Sequence, residues 1–160
     1  MRSRTAKWFE CKIHYEKTME DGLQKKVTET YTVDALSFTE AEQRIMEEMS
    51  SYISGEFEVT DIKPANYKEV FFADDDMADR WYKAKLQFID IDEKTEKEKR
   101  YNITYLVNAG TLKGAVNNIE EVMKGTIIDY VMVAINETTL MDVFEYASNK
   151  PADEKPKFQA

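Results

Sequence analysis

Apolar and polar residues alternate along two stretches of the chain that match each other 73 positions apart. The first runs over residues 8–15 and the second over residues 81–88, and each places aromatic and aliphatic side chains on one face. Strict alternation is typical of a half-buried β-strand, because successive side chains of a strand point to opposite faces of a sheet. The pattern therefore predicts two equivalent strands, one in each half of the chain.

The correspondence between the halves extends beyond these strands. Residues 31–35 match residues 105–109 at an offset of 74, and residues 70–71 match residues 143–144 at an offset of 73. Self-similarity at a nearly fixed offset is the sequence signature of a repeated structural unit. The chain is therefore predicted to contain a duplicated unit.

One helix lies between two pairs of strands in each predicted unit. Ser37 and Glu40 form a capping box, and Ala41, Ile45 and Met49 then recur at helical spacing. A helix of the same kind is predicted at the same offset in the second unit. The order of elements in each unit is ββαββ.

The expected fold is α+β, with two ββαββ repeats that each form an antiparallel sheet with one helix. Their boundaries are residues 1–72 (with 1–6 as a flexible arm), residues 73–79 as an acidic linker, residues 80–147, and residues 148–160 as a flexible tail. Since one helix covers only one face of a sheet, the other face is expected to be open. Two such units in one chain are expected to pack as an intramolecular pseudo-dimer.

Composition and charge narrow the classes of function. Cys11 is the single cysteine among 160 residues, which excludes an internal disulfide and fits a reducing cytoplasm. No apolar segment reaches the length of a membrane span, so we expect a cytoplasmic protein without membrane contact. The net charge of −9, with −4 on residues 1–72 and −6 on residues 73–147, disfavours general phosphate binding. Any nucleic-acid contact would need a local basic patch.

No pattern in the sequence indicates catalysis, a metal or a cofactor. His14 is the only histidine, and no set of metal ligands has suitable spacing around it. Cys11 lies on the predicted core face, where a thiol behaves as a small hydrophobe. The five glycines match neither a P-loop nor a dinucleotide-binding fingerprint. We therefore expect a non-enzymatic protein with no catalytic residue, no metal site and no cofactor.

Aromatic and basic side chains share the predicted open face of both sheets. The candidate nucleic-acid-binding set is Trp8, Lys12 and His14 with Trp81, Lys83 and Lys85. Proteins that bind single-stranded DNA or RNA combine aromatic rings for base stacking with cations for phosphates. In the alternative interpretation, the tryptophans bury the junction between the halves and the lysines keep the strands soluble.

A second hypothesis of function involves the outer faces of the helices. These faces carry glutamates that would present negative charge to a basic host or phage protein: Glu42, Glu47, Glu48, Glu120 and Glu121. The protein would then be an acidic interaction module, an inhibitor or a nucleic-acid mimic. A continuous positive groove around Trp8 and Trp81 favours the first hypothesis, whereas buried tryptophans together with an unbroken negative surface favour the second. The sequence does not identify the partner, and it does not determine whether the protein forms a homo-oligomer.

Four segments of the chain carry a resemblance to known sequences. They are Trp8-Phe-Glu-Cys-Lys, Val33-Asp-Ala-Leu-Ser-Phe-Thr-Glu-Ala-Glu, Gly55-Glu-Phe and Arg80-Trp-Tyr-Lys. Through them the chain resembles a family of short, uncharacterised proteins from gut anaerobic bacteria and their bacteriophages, from residue 8 to about residue 146. The resemblance implies no activity and no functional residue. It implies only a context, in which phage or mobile-element genes encode replication, regulatory or host-interaction proteins.

Overall fold

The computed structural model describes residues 1–146, which form nine strands and two helices. In chain order they are β1 (Arg2–Arg4), β2 (Trp8–Thr18), β3 (Gln24–Asp34), α1 (Phe38–Ser50), β4 (Phe57–Pro64), β5 (Glu69–Phe72), β6 (Arg80–Ile91), β7 (Glu98–Ala109), α2 (Leu112–Met123), β8 (Asp129–Glu137) and β9 (Leu140–Phe144). These elements divide into two compact units. Among the described residues, the α1 unit contains residues 7–65 and 140–146, and the α2 unit contains residues 1–6 and 66–139.

The α1 unit is a four-stranded sheet in the order β4-β2-β3-β9, with α1 against one face. Cys11 and Ile13 of β2 pack in one cluster with Ile45 and Met49 of the helix. Burying an aliphatic side chain of this size stabilises a fold by about 1.5–3 kcal/mol, so this cluster holds the helix on the sheet. Ser37 caps the helix by accepting a backbone N–H of its first turn, as the capping box predicts.

The α2 unit is a five-stranded sheet in the order β1-β5-β7-β6-β8, with α2 against one face. Its core contains Ala84 and Leu86 of β6, Val107 of β7 and Ile119 of the helix. Thr111 is the N-cap of α2 and accepts a backbone N–H of the first turn at 3.0 Å. Both helices therefore begin after a hydroxyl residue, which satisfies one backbone donor that the helix itself leaves without a partner.

Each sheet includes a strand from the other half of the chain: β9 joins the sheet of the α1 unit, and β5 joins the sheet of the α2 unit. β9 runs parallel to β3, and β5 runs parallel to β7. The α+β class with two helices is confirmed, but the prediction of purely antiparallel sheets is wrong because both sheets are mixed. Alternation of side chains identifies a strand without identifying the strand it pairs with, and parallel neighbours need a long connection rather than a hairpin.

The N-terminal segment forms a strand where a flexible arm was expected. β1 pairs antiparallel with β5, and the Met1 ammonium donates to Asp74 Oδ2 at 2.8 Å. The guanidinium of Arg2 lies 4.2 Å from the centroid of the Phe72 ring. Three residues of backbone pairing, an ion pair and a cation–π contact hold this segment, which has no apolar periodicity of its own.

The predicted domain boundaries differ from the units that the contacts define. The acidic run at residues 73–79 connects β5 to β6 inside the α2 unit, whereas it was expected to link two contiguous repeats at residues 1–72 and 80–147. The chain passes between units after Ala6, Ala65 and Thr139 instead. The tail predicted for residues 148–160 lies outside the described residues.

Candidate interaction surfaces

Both tryptophans are buried, although they lie on the sheet faces that point away from the helices. Trp8 is 2% exposed and Trp81 is 5% exposed. The Trp81 ring packs edge-on against Phe72 with 5.4 Å between centroids, and Leu106, two residues along the neighbouring strand on the same face, is fully buried. Neither indole presents a free ring face on which a base could stack. These faces are thus not open at the end that carries the tryptophans.

The four basic residues of the predicted nucleic-acid site are divided between the two units. Lys12 is exposed and His14 is half-buried in the α1 unit, where His14 Nδ1 lies 3.1 Å from the Thr28 hydroxyl. Lys85 is exposed in the α2 unit, and the ammonium of Lys83 lies 5.4 Å from the Tyr67 ring centroid. Within each unit the structure thus places one exposed lysine beside one partly buried basic group.

The surroundings of these residues differ between the sheets. In the α1 unit, Asp61 faces Lys12 across the β2–β4 pair, and Glu10 lies 3.9 Å from the Lys63 ammonium. Cations and carboxylates alternate there, so the face has no excess of positive charge near Lys12. A phosphate would meet carboxylate repulsion at this position.

In the α2 unit, amides and cations continue the face beyond Lys85. Gln87 donates to Asn102 across the β6–β7 pair at 3.1 Å, and Arg100 donates to Gln87 at 3.3 Å. Thr104 faces Lys85 on the neighbouring strand. This part of the sheet carries hydrogen-bond donors and two cations. Arg100 forms an ion pair with Glu98 at 3.0 Å, so Lys85 is the cation available here to phosphate and sugar oxygens.

The outer face of α1 carries negative charge with exposed apolar side chains. Phe38, Glu42 and Met46 follow one another at intervals of four residues and are exposed, so they share one side of the helix. Glu47 is also exposed, and Glu48 is half-buried. We call this surface, with these five residues, the α1 acidic face.

The charges at the end of α1 oppose the helix dipole. Glu47 and Glu48 lie in the last turn of α1, which contains no basic residue, although the carboxyl end of a helix favours cations. Neither carboxylate forms an ion pair with any residue between 1 and 146. Glu47 accepts one hydrogen bond, from Gln43 Nε2 at 3.4 Å, but the helix dipole gives no reason for either glutamate. Such a departure from local preference is expected at surfaces that serve function.

Arg44 is the one cation of α1, and it turns inward. It is 7% exposed and its guanidinium donates to Asp34 Oδ1 at 2.6 Å and to the Asp34 carbonyl oxygen. At the equivalent place in the α2 unit, Asn118 donates to the Asn108 carbonyl oxygen at 2.9 Å. This pair was not predicted from the sequence, although Arg44 lies three residues after the buried Ala41 and so on the inward side of the helix.

A carboxylate with two tyrosines lies at the margin of the α1 unit core. Glu29 accepts hydrogen bonds from Tyr15 at 2.8 Å and Tyr31 at 3.0 Å, and the Lys17 ammonium lies 3.3 Å away. Burial and the Glu29 hydrogen bond raise the pKa of Tyr15 to about 12, and the same causes raise the pKa of Tyr31. With three donors on one carboxylate, this cluster is satisfied as a structural network rather than arranged as a base.

The remaining chemical candidates have structural surroundings. Cys11 is fully buried, and burial raises the pKa of its thiol to about 12, so it carries no thiolate at neutral pH. Within residues 1–146, no three His, Cys, Asp or Glu side chains converge as a metal site would require. Neither α1 nor α2 has the length and apolar character needed to cross a membrane.

A family model matches residues 7–146, and its description is a domain of unknown function, DUF4494. The chain therefore belongs to the DUF4494 family. The search of curated proteins and the search of solved structures gave no match. The family match agrees with the resemblance to an uncharacterised family and brings no activity with it.

Proposed function

We propose that this protein is a non-enzymatic binding protein that engages a basic partner protein through the α1 acidic face. The supporting observation is the placement of charge on α1, where glutamates and two apolar side chains are exposed while the single cation is buried against Asp34. Exposed apolar side chains supply contact area, and the surrounding carboxylates supply steering and specificity toward Lys and Arg. The burial of Trp8 and Trp81 favours this function over base stacking.

Charge reversal at Glu47 and Glu48 is expected to raise stability while it lowers binding. Lysine at these positions complements the helix dipole, so the free energy of unfolding should rise by about 0.3–1 kcal/mol per residue. Binding of a fluorescein-labelled deca-lysine peptide, measured by polarisation in 50 mM salt, should weaken by about three- to tenfold in the Glu47→Lys, Glu48→Lys variant.

A variant that is more stable but binds the peptide more weakly has lost a binding contact, because loss of folding would lower both stability and binding. Glu93→Lys with Glu96→Lys at the β6–β7 turn makes the same change of net charge at exposed residues of the α2 unit and is the matched control. Equal weakening in the control and the α1 variant would mean that the peptide follows net charge alone, and the proposal would be rejected.

We also propose that the two units are diverged copies of one ββαββ repeat and that the protein acts in the cytoplasm on behalf of a phage or other mobile element. Equivalent caps at Ser37 and Thr111, and equivalent helix-to-strand hydrogen bonds from Arg44 and Asn118, support the duplication. The context follows from the resemblance to phage and gut-anaerobe proteins. The pseudo-dimer packing of the repeats stays a prediction.

A second candidate function is binding of single-stranded DNA or RNA on the sheet of the α2 unit. The supporting observation is the run of Lys85, Gln87, Arg100 and Asn102 on one exposed part of that sheet. Contact here would use phosphates and sugars rather than stacking, with Lys12, His14 and Lys83 as further cations of the originally predicted set.

Lys85→Glu is expected to weaken binding of a labelled mixed-sequence 20-nucleotide DNA strand at low salt if this second function holds. Losing one phosphate contact should reduce the slope of log K against log salt by about 0.7. Lys113→Glu on the exposed side of α2 is the control with the same charge change. Equal slopes for the two variants, or no binding at 100 µM strand, would remove nucleic acid from consideration.

A further inference from the structure

The α2 unit ends in a strand whose outer edge pairs with nothing among residues 1–146. β8 is the terminal strand of its sheet and pairs on its inner side with β6. Val131 and Val133 in its centre are 39% and 47% exposed. A long edge strand with exposed apolar side chains is a template for pairing with another extended segment.

In the α1 unit, the corresponding edge strand is β4, and its side chains protect it against pairing with another strand. β4 carries Glu58, Asp61 and Lys63 as exposed residues and ends at Pro64, and charges and proline are the usual means of blocking an edge. Each edge contains one bulge, so backbone irregularity does not distinguish them. The difference lies in the side chains. The charged residues of β8, Asp129 and Glu137, lie only at its two ends, whereas β4 carries Asp61 in its interior and ends at Pro64.

An apolar depression continues from the start of β8. It has a volume of about 470 Å³, and its lining includes Ile91, Tyr101, Ile127 and Ile128. Ile127 is 99% exposed. Asp90 and Asp129 also line the depression, and the pairing register places them on opposite faces of the sheet, with Lys99 across the strand pair from Asp90. We call the outer edge of β8 together with this depression the β8 docking edge.

Two kinds of strand would fit the β8 docking edge: β8 of a second copy of this protein, or a basic segment of another protein. Charge favours the second. In antiparallel pairing of β8 with its own copy about the strand centre, Asp129 would face Glu137 at both ends, between chains that each carry a net charge of −9. Like charges opposite each other on paired strands are destabilising. A segment with basic residues would instead be attracted to β8, whose two charged residues are both acidic.

We propose that the β8 docking edge binds an extended, basic segment of a partner protein by β-strand addition. Main-chain hydrogen bonds to β8 supply the pairing, and apolar side chains on one face of the segment cover Val131 and reach the depression at Ile127. Its basic residues lie on the other face of the added strand, on the side of the sheet that carries Asp90. This surface belongs to the α2 unit and is separate from the α1 acidic face, so it goes beyond the proposed function and does not depend on it.

The proposal is tested with a labelled peptide of alternating lysine and valine, nine residues long, added to the full-length protein. Hydrogen exchange of the amides of Asp129–Glu137 should slow on binding, and those of Phe57–Pro64 should not change. Val133→Lys should weaken binding at least about tenfold, because it adds like charge and removes apolar contact. Thr60→Lys, at the bulge of β4, is the matched control and should bind normally.

Two further peptides separate strand addition from contact by side chains alone. Each carries N-methyl groups on alternate amides, so that each blocks one edge of the peptide. Strand addition requires that at least one of them loses binding, since the side chains are unchanged. The proposal is overturned if both bind normally, if a glutamate–valine peptide binds equally well, or if β8 protection appears only on dimerisation of the protein itself.

Discussion

Arg44→Met is expected to destabilise the α1 unit by about 3–5 kcal/mol, because it leaves the Asp34 carboxylate buried without its guanidinium. The two side chains are 8% and 4% exposed, and they are joined at 2.6 Å. Removing one member of a buried ion pair costs far more than the net value of the pair, since the other charge stays out of water. Urea unfolding followed by far-UV circular dichroism, with hydrogen exchange resolved by unit, measures the loss.

The α2 unit supplies the control for this prediction. Asn118→Ala removes one neutral hydrogen bond at the equivalent place and should cost about 1 kcal/mol. The double variant Asp34→Asn, Arg44→Asn copies residues 108 and 118 into the α1 unit and should recover most of the loss in Arg44→Met, because no charge stays buried. A loss below about 1 kcal/mol in Arg44→Met would contradict the prediction, because it would show that the Asp34 carboxylate does not depend on Arg44 for its stability in the buried site.

Phe144→Ala is expected to destabilise the α1 unit by about 3–5 kcal/mol and to leave the α2 unit unchanged. Phe144 follows the chain of the α2 unit in sequence, yet its side chain packs in the α1 unit core and stacks on Tyr31 with 5.6 Å between centroids. Truncating a buried aromatic ring loses its transfer free energy and leaves a cavity. Amides of Gln24–Asp34 should therefore exchange faster, whereas those of Glu98–Ala109 should keep their protection.

Phe71→Ala is the reciprocal variant. Together the two variants test whether β5 and β9 pair with β7 and β3, as in the structure, or with strands of their own half of the chain. Phe71 follows the α1 unit in sequence and packs in the α2 unit core, 5.0 Å from the Tyr105 ring centroid. It should accelerate exchange in Glu98–Ala109 instead. Loss of protection in the contiguous half of the chain, in either variant, would contradict the exchange of strands between the two halves.

For the candidate surfaces, the sequence predicted the face of the sheet on which a residue lies, but it did not predict whether that residue is exposed. The faces of the strands were readable, since Trp8 and Trp81 do lie opposite Cys11 and Ala84, which pack under the helices. Exposure was not readable, because a residue on the face away from the helix is buried or open according to contacts that are distant in sequence. Only the three glutamates of the α1 acidic face were predicted from helical spacing, because the polar side of an amphipathic helix is defined locally.

The chain by itself determined the α+β class, the kinds and approximate limits of most elements, the N-cap at Ser37, and core residues such as Cys11, Ile45 and Leu86. These follow from periodicity and capping, which act over a few residues. Only the tertiary structure decided that β5 and β9 pair with β7 and β3, that residues 2–4 form a strand, and that the tryptophans are buried. Strand partners and burial depend on backbone hydrogen bonds and packing between distant segments, and alternation along one strand is the same for every partner.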